Sequence, residues 1–256
     1  MKIYKAFFTF ILGFLILINS IYSQNIQLEE KCISPCVKVI SYGSKSLGSG
    51  VIVKSFLMKD NKYSNIVLSC NHVTNGKNIL IELCNEKCSK YYATAIFENE
   101  KYDFSVIQFY SEEKQKIAEL DIISKLFIGD DLVSVGFGLS EIPKVGWGKV
   151  TTNSQKEESF KGNYFTNIPL VMGDSGGPIY KNNKLVALSQ AIRVLKWQNS
   201  IVPVPSVSVI LPLMKIKEIN KEQKNKLDFI LDDKSSPPMF PHLILQMQEF
   251  DSIYLK

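Results

Sequence analysis

Arginine is almost missing from this chain: of the 30 Lys and Arg residues, Arg193 is the only arginine. Arginine supplies most bidentate contacts to bases and phosphates, so the mild surplus of +5 is not the footprint of a nucleic-acid binder. Two of those positive charges, Lys2 and Lys5, belong to the N-terminal leader described next and leave with it. Long apolar runs are also lacking beyond that leader, so no further segment is expected to span a bilayer. No cysteine pair has the CxxC spacing, which argues against the commonest zinc sites. Histidine is scarce, with two in 256 residues.

The N-terminus has the anatomy of an export signal. Lys2 and Lys5 precede an apolar core from about Ala6 to Ile18, and Asn19, Ser20, Ile21, Tyr22 and Ser23 follow. Cleavage is expected after Ser23, giving an exported protein, secreted or periplasmic, without stable membrane insertion. An uncleaved anchor is the alternative, and the shortness of the apolar run disfavours it. About 230 residues then remain, enough for two small domains with real cores. The abundance of Lys, Asn and Ile points to an AT-rich genome.

Five cysteines in an exported chain suggest disulfides with one remainder. Cys32 and Cys36 flank a proline-containing turn, and Cys84 and Cys88 flank a hairpin-like segment. Pairing within each couple and crossed pairing, Cys32 with Cys88 and Cys36 with Cys84, both fit. Cys70 is the odd one, expected to lie buried beside His72. A four-cysteine zinc site is a further reading, which export disfavours; neither a metal nor a cofactor is expected.

The richest stretch is Gly173-Asp174-Ser175-Gly176-Gly177-Pro178. A serine hydroxyl is a poor nucleophile unless a base takes its proton and backbone N–H groups face the charge that develops on the attacked carbonyl. Glycine at 173 permits backbone angles that let the N–H groups of Gly173 and Ser175 converge, with Asp174 part of the same loop. The base and its orienter are available. His72 follows the apolar run Ile66-Val67-Leu68, as if delivered by the end of a strand. Asp103 precedes the alternating segment Phe104 to Ile107, which reads as a half-buried strand. The order His, Asp, Ser separates this chain from enzymes that arrange the same groups in other orders.

With these residues the chain resembles the trypsin-like serine peptidases, and among them the high-temperature-requirement (HtrA/Deg) branch, over roughly residues 36 to 218. The resemblance is carried by Gly48-Ser49-Gly50-Val51-Ile52-Val53, Asn71-His72-Val73, Asp103-Phe104-Ser105-Val106, residues 129 to 136, the serine hexapeptide and Val209-Ile210-Leu211-Pro212. It implies acyl transfer from a protein or peptide substrate to water. Ser175 would be the nucleophile, His72 the base, Asp103 its orienter, and Gly173, Asp174 and Ser175 the oxyanion hole. It also implies a primary specificity pocket near Pro169, Leu170, Ser189, Gln190, Ala191 and Ile192. None of these is charged, so cleavage after small or medium apolar residues is expected.

Three departures stand out. No Ile-Val-Gly-Gly segment exists to supply a freed amine for Asp174, so activity without an activating cut is expected and Asp174 needs another partner. Cys70 stands where the branch usually has asparagine. No PDZ-sized module is expected after the helix, and oligomeric state is not legible. A protein that has kept this fold as a secreted binding module without chemistry is the competing function.

The fold expected is all-β. Many short apolar runs separated by Gly, Asn, Asp and Lys turns read as two six-stranded antiparallel β-barrels of the trypsin-like kind. The expected divisions are a signal peptide (1–23), an N-terminal barrel carrying His72 and Asp103 (24–125), a C-terminal barrel carrying Ser175 (126–213), an amphipathic helix (214–232) and a tail (233–256). The lysines of that helix are read as its solvated face.

Overall fold

The computed structural model describes residues 14, 28–75, 78–83, 88–139, 141–153, 162–197 and 200–232. The expected leader, apart from residue 14, and the expected tail lie outside them. No helix among the described residues is long and apolar enough to cross a membrane.

Twelve strands close into two barrels. The first contains β1 (Cys36–Ser41), β2 (Ser46–Leu57), β3 (Tyr63–Ser69), β4 (Ile79–Leu83), β5 (Lys90–Asn99) and β6 (Phe104–Ser111). Its order is β1-β2-β3-β6-β5-β4, and β4 pairs back onto β1. The second contains β7 (Asp131–Gly136), β8 (Lys144–Asn153), β9 (Tyr164–Thr166), β10 (Pro178–Lys181), β11 (Lys184–Trp197) and β12 (Ser200–Pro212), in the order β10-β11-β12-β9-β8-β7. Closure leaves no unpaired edge, which resolves the aggregation hazard of strands this apolar.

Alternation explains the interiors. Val37, Val39, Ile52, Val67, Ile81, Ile107 and Phe109 fill the first barrel, and Leu132, Val150, Ile168, Ile179, Val186 and Ile210 the second. The intervening side chains are not all solvated. Val51, Leu68, Phe104, Val135, Phe137, Tyr180, Leu188 and Leu211 form a third apolar layer that joins the barrels. That layer sets one barrel against the other, and the site lies along their junction.

The C-terminal segment differs from the single helix expected. It forms α2 (Met214–Glu222) and a short α3 (Asp228–Leu231); α1 is the single turn Asn71–Thr74. Lys224 and Asn225 adopt φ of 54° and 64°, a left-handed conformation that ends an α-helix. Buried Asn220 ties the break together, accepting from Leu227 N–H and donating to Asp228 Oδ1, both at 2.7 Å. Ile216 and Ile219 face the core while Lys217 and Lys221 are exposed, yet Lys215 is half-buried over the Tyr102 ring, 5.0 Å from its centroid.

The disulfides do not form among the described cysteines. Cys32, Cys36 and Cys70 are buried thiols and Cys88 an exposed one; Cys84 lies outside the described residues. Cys32 and Cys36 belong to the apolar layer between the barrels, where the Cys36 thiol faces Val135 O at 3.7 Å and Cys32 faces Asn183.

Candidate active site

Residue 72 does not end a strand but sits in α1, directly after β3. The one-turn helix lifts the imidazole out of the barrel wall, leaving its side chain 51% exposed. Asp103 lies in the turn entering β6 with φ of 50°. An aspartate tolerates that left-handed geometry better than most residues. Its carboxylate grips residue 72 twice: Oδ2 is 2.7 Å from His72 Nδ1, and Oδ1 accepts the His72 backbone N–H at 2.9 Å. Two anchors to one residue fix both the position and the rotation of the ring.

The Gly173–Gly177 loop projects from the second barrel into contact with the first. Ser49 N–H donates to Ser175 O at 2.8 Å, and Ser49 Oγ donates to Gly173 O at 2.7 Å while accepting Phe137 N–H at 2.9 Å. Gly176 has φ of 84° and packs where a Cβ would strike Ser49 O and Ser69 Oγ. Within the loop, Asp174, Gly176 and Gly177 spend their N–H groups on Val171, Ser189 and Asp174 carbonyls at 3.1, 2.7 and 2.9 Å. The N–H groups of Gly173 and Ser175 have no acceptor among the described residues. Two neighbouring donors left open is the arrangement that an oxyanion requires.

Asp174 has the partner that its sequence left undefined. Its buried carboxylate accepts Gly138 N–H at 2.7 Å and Val171 N–H at 2.8 Å, with Lys144 Nζ at 3.9 Å. The loop is therefore held without a chain terminus.

Ser175 Oγ donates to Gln190 O at 3.3 Å, and no hydrogen bond joins it to His72 among the described residues. Gln190 does more than line a pocket. Its Nε2 donates to Tyr102 O at 3.1 Å and its Oε1 accepts from Asn163. It thus braces the residue before Asp103 from the strand that faces Ser175. This brace has no signal in the sequence, because it depends on a strand meeting a turn 88 positions away. In the sequence Ser49 is only one residue of a glycine-flanked motif, and its bridging role likewise depends on the docking of the barrels.

Leu170, Ser189, Gln190, Ala191 and Ile192 do come together, with Val171, Met172, Asp174 and Ser175, around a cavity of about 70 Å³. Pro169 is not part of that lining. Cys70 is buried, as expected beside His72, and its thiol lies 3.3 Å from Ser189 O. Burial first, and then the Asp103 charge, hold that thiol well above its ordinary range.

The family described as "Trypsin-like peptidase domain" matches residues 48–188, over half of the 256 residues. The chain belongs to that family. The trypsin-like peptidase fold is also found in a solved serine endoprotease from Yersinia pestis, with a TM-score of 0.59 and 16% identity. The similarity covers 79% of this chain and 66% of that one. At that identity the likeness concerns the fold alone. No curated protein matches the chain.

Proposed function

We propose that this trypsin-like peptidase is an exported serine endopeptidase that hydrolyses peptide bonds through Ser175, His72 and Asp103. The observation that carries the reading is the double grip of Asp103 on His72 beside a loop with two open N–H groups. With Nδ1–H donated to Asp103, the lone pair on Nε2 is left to act as base. The reading requires the Ser175 side chain to turn away from Gln190 O and present Oγ to it; catalytic hydrogen bonds are commonly loose before substrate binds.

Ser175 Oγ then attacks the substrate carbonyl as its proton passes to His72. The new oxyanion is received by Gly173 N–H and Ser175 N–H. His72 returns the proton to the leaving amine, and water repeats the sequence on the acyl-enzyme. The 70 Å³ cavity, walled by Leu170, Ala191 and Ile192, favours a small or medium apolar side chain before the scissile bond.

The orientation of Ser175 Oγ toward Gln190 favours a second reading, a non-catalytic binding module. A fluorophosphonate probe separates the two. Covalent labelling of the mature protein, absent in Ser175→Ala of equal stability, supports the peptidase; no labelling of either supports the binding module. In a digest of a denatured protein, fragment ends after Ala, Val or similar residues support the pocket assignment, and ends after Lys or Arg overturn it.

A further inference from the structure

Cys70, His72 and Asp103 each offer one ligand atom, and these atoms all lie within 4.8 Å of one another. We propose that this cluster is an inhibitory site for a thiophilic divalent cation such as zinc or cadmium, formed by Cys70 Sγ, His72 Nδ1 and Asp103 carboxylate. The site deepens the peptidase reading, on which its effect on turnover rests; the binding itself does not depend on it.

The donor set is one that zinc takes readily. Sulfur, imidazole nitrogen and carboxylate oxygen occupy three positions, and the fourth is left for water on the cleft side. Bond lengths of about 2.0–2.3 Å imply ligand atoms roughly 3.3–3.8 Å apart, so the widest separation has to close by no more than about 1 Å. Nδ1 and Asp103 Oδ2, 2.7 Å apart, must in turn open by about 0.6 Å as their hydrogen bond gives way to the metal. Charge also closes: a thiolate and a carboxylate neutralise the dication, which removes most of the cost of holding it beside a buried cysteine. Access runs past His72, the most exposed member, with its side chain 51% exposed against 24% for Asp103.

The protons balance without any redox step. As the metal–sulfur bond forms, the Cys70 S–H proton leaves to solvent. His72 gives up Nδ1–H to make room for the metal and takes a proton on Nε2, so one proton is released in all. This exchange is what inhibits. An imidazole ligated through Nδ1 and protonated on Nε2 has no lone pair with which to accept the Ser175 proton.

The test uses cadmium chloride, whose bond to thiolate gives an ultraviolet charge-transfer band, on protein with Cys84→Ser and Cys88→Ser. In a Ser175→Ala background, titration is expected to develop a band with one more thiolate equivalent than the same protein carrying Cys70→Ala. His72→Ala is expected to weaken that equivalent at least about tenfold. In active protein, Cys70→Ala is expected to keep peptidase activity and to need at least about 100-fold more cadmium for half-inhibition. If Cys70→Ala does not fold, Cys70→Ser, which keeps a donor toward Ser189 O, replaces it in both arms. Equal bands with and without Cys70 overturn the site whether or not the protein proves to be a peptidase. Equal bands but no fluorophosphonate labelling would sink both readings, and a Cys70-dependent band without labelling would sink only the peptidase.

Discussion

The Gln190 side-chain amide donates to the Tyr102 carbonyl at 3.1 Å and so ties the strand facing Ser175 to the turn that presents Asp103. Through one side chain, the two halves of the site are referenced to each other. Gln190 is buried, and Asn163, which donates to its Oε1, is buried as well.

Replacing Gln190 with leucine strands the Asn163 amide and the Tyr102 carbonyl away from water. Each unsatisfied group costs about 1–3 kcal/mol. The Asp103 turn also loses its external brace, and small misplacements of catalytic groups cost up to about 100-fold in rate. We expect Gln190→Leu to lower the urea midpoint and to reduce kcat by about 10–100-fold at temperatures where the protein is still folded. Unchanged kcat would mean that the turn is held adequately by its other contacts.

Asp174 and Lys144 should respond unequally. Asp174→Asn turns an amide donor against the Gly138 or Val171 N–H, at about 1–3 kcal/mol for the unpaired group, and loosens the loop carrying both open N–H groups. The Lys144 contact is 3.9 Å long and the lysine is 43% exposed, so Lys144→Ala should cost no more than about 1 kcal/mol. Denaturation curves and turnover of the uncut protein check both. A larger effect from Lys144 would make the ammonium, rather than the backbone, the principal partner.

Gly176→Ala should be among the most damaging single changes. The left-handed φ of 84° costs about 1–3 kcal/mol for a residue with a Cβ. The collision with Ser49 O and Ser69 Oγ adds about 1–3 kcal/mol of overpacking. Since the colliding atoms belong to the opposite barrel, the expected result is loss of inter-barrel docking, read as lost peptidase activity together with a large fall in Tm. A stable, active Gly176→Ala protein would contradict this packing.

Alkaline pH should destabilise the fold. Burial, partly offset by Lys31, pushes the Cys32 thiol from 9.0 up to about 11, and burial also raises Cys70 and Tyr180. A raised folded-state value means the contribution is complete below the unfolded value and is lost as pH rises toward the folded one. The urea midpoint should therefore fall from about pH 9 upward, with a shallower slope in Cys32→Ala. Equal slopes would place the alkaline loss elsewhere.

Much of this could be read along the chain because it is local. Strand alternation in Val37–Val39 or Phe104–Ile107 depends only on neighbouring residues. The glycines around Ser175 likewise announce a loop of unusual backbone. The order His72, Asp103, Ser175 carried the family because spacing survives where most identities do not. The break after Glu222 was missed because Asn220 closes a local turn that competes with helical periodicity.

By itself, then, the chain determined which residues could be strands and which were candidates for chemistry. It could not decide the partners that meet between the barrels: Ser49 with Gly173, Gln190 with Tyr102, and Cys70 with Ser189. Those contacts join residues 88 to 124 positions apart, and they exist only because an apolar layer sets one closed barrel against the other. A hydrogen bond between such positions leaves no periodic trace in the sequence; tertiary packing alone brings its donor and acceptor together.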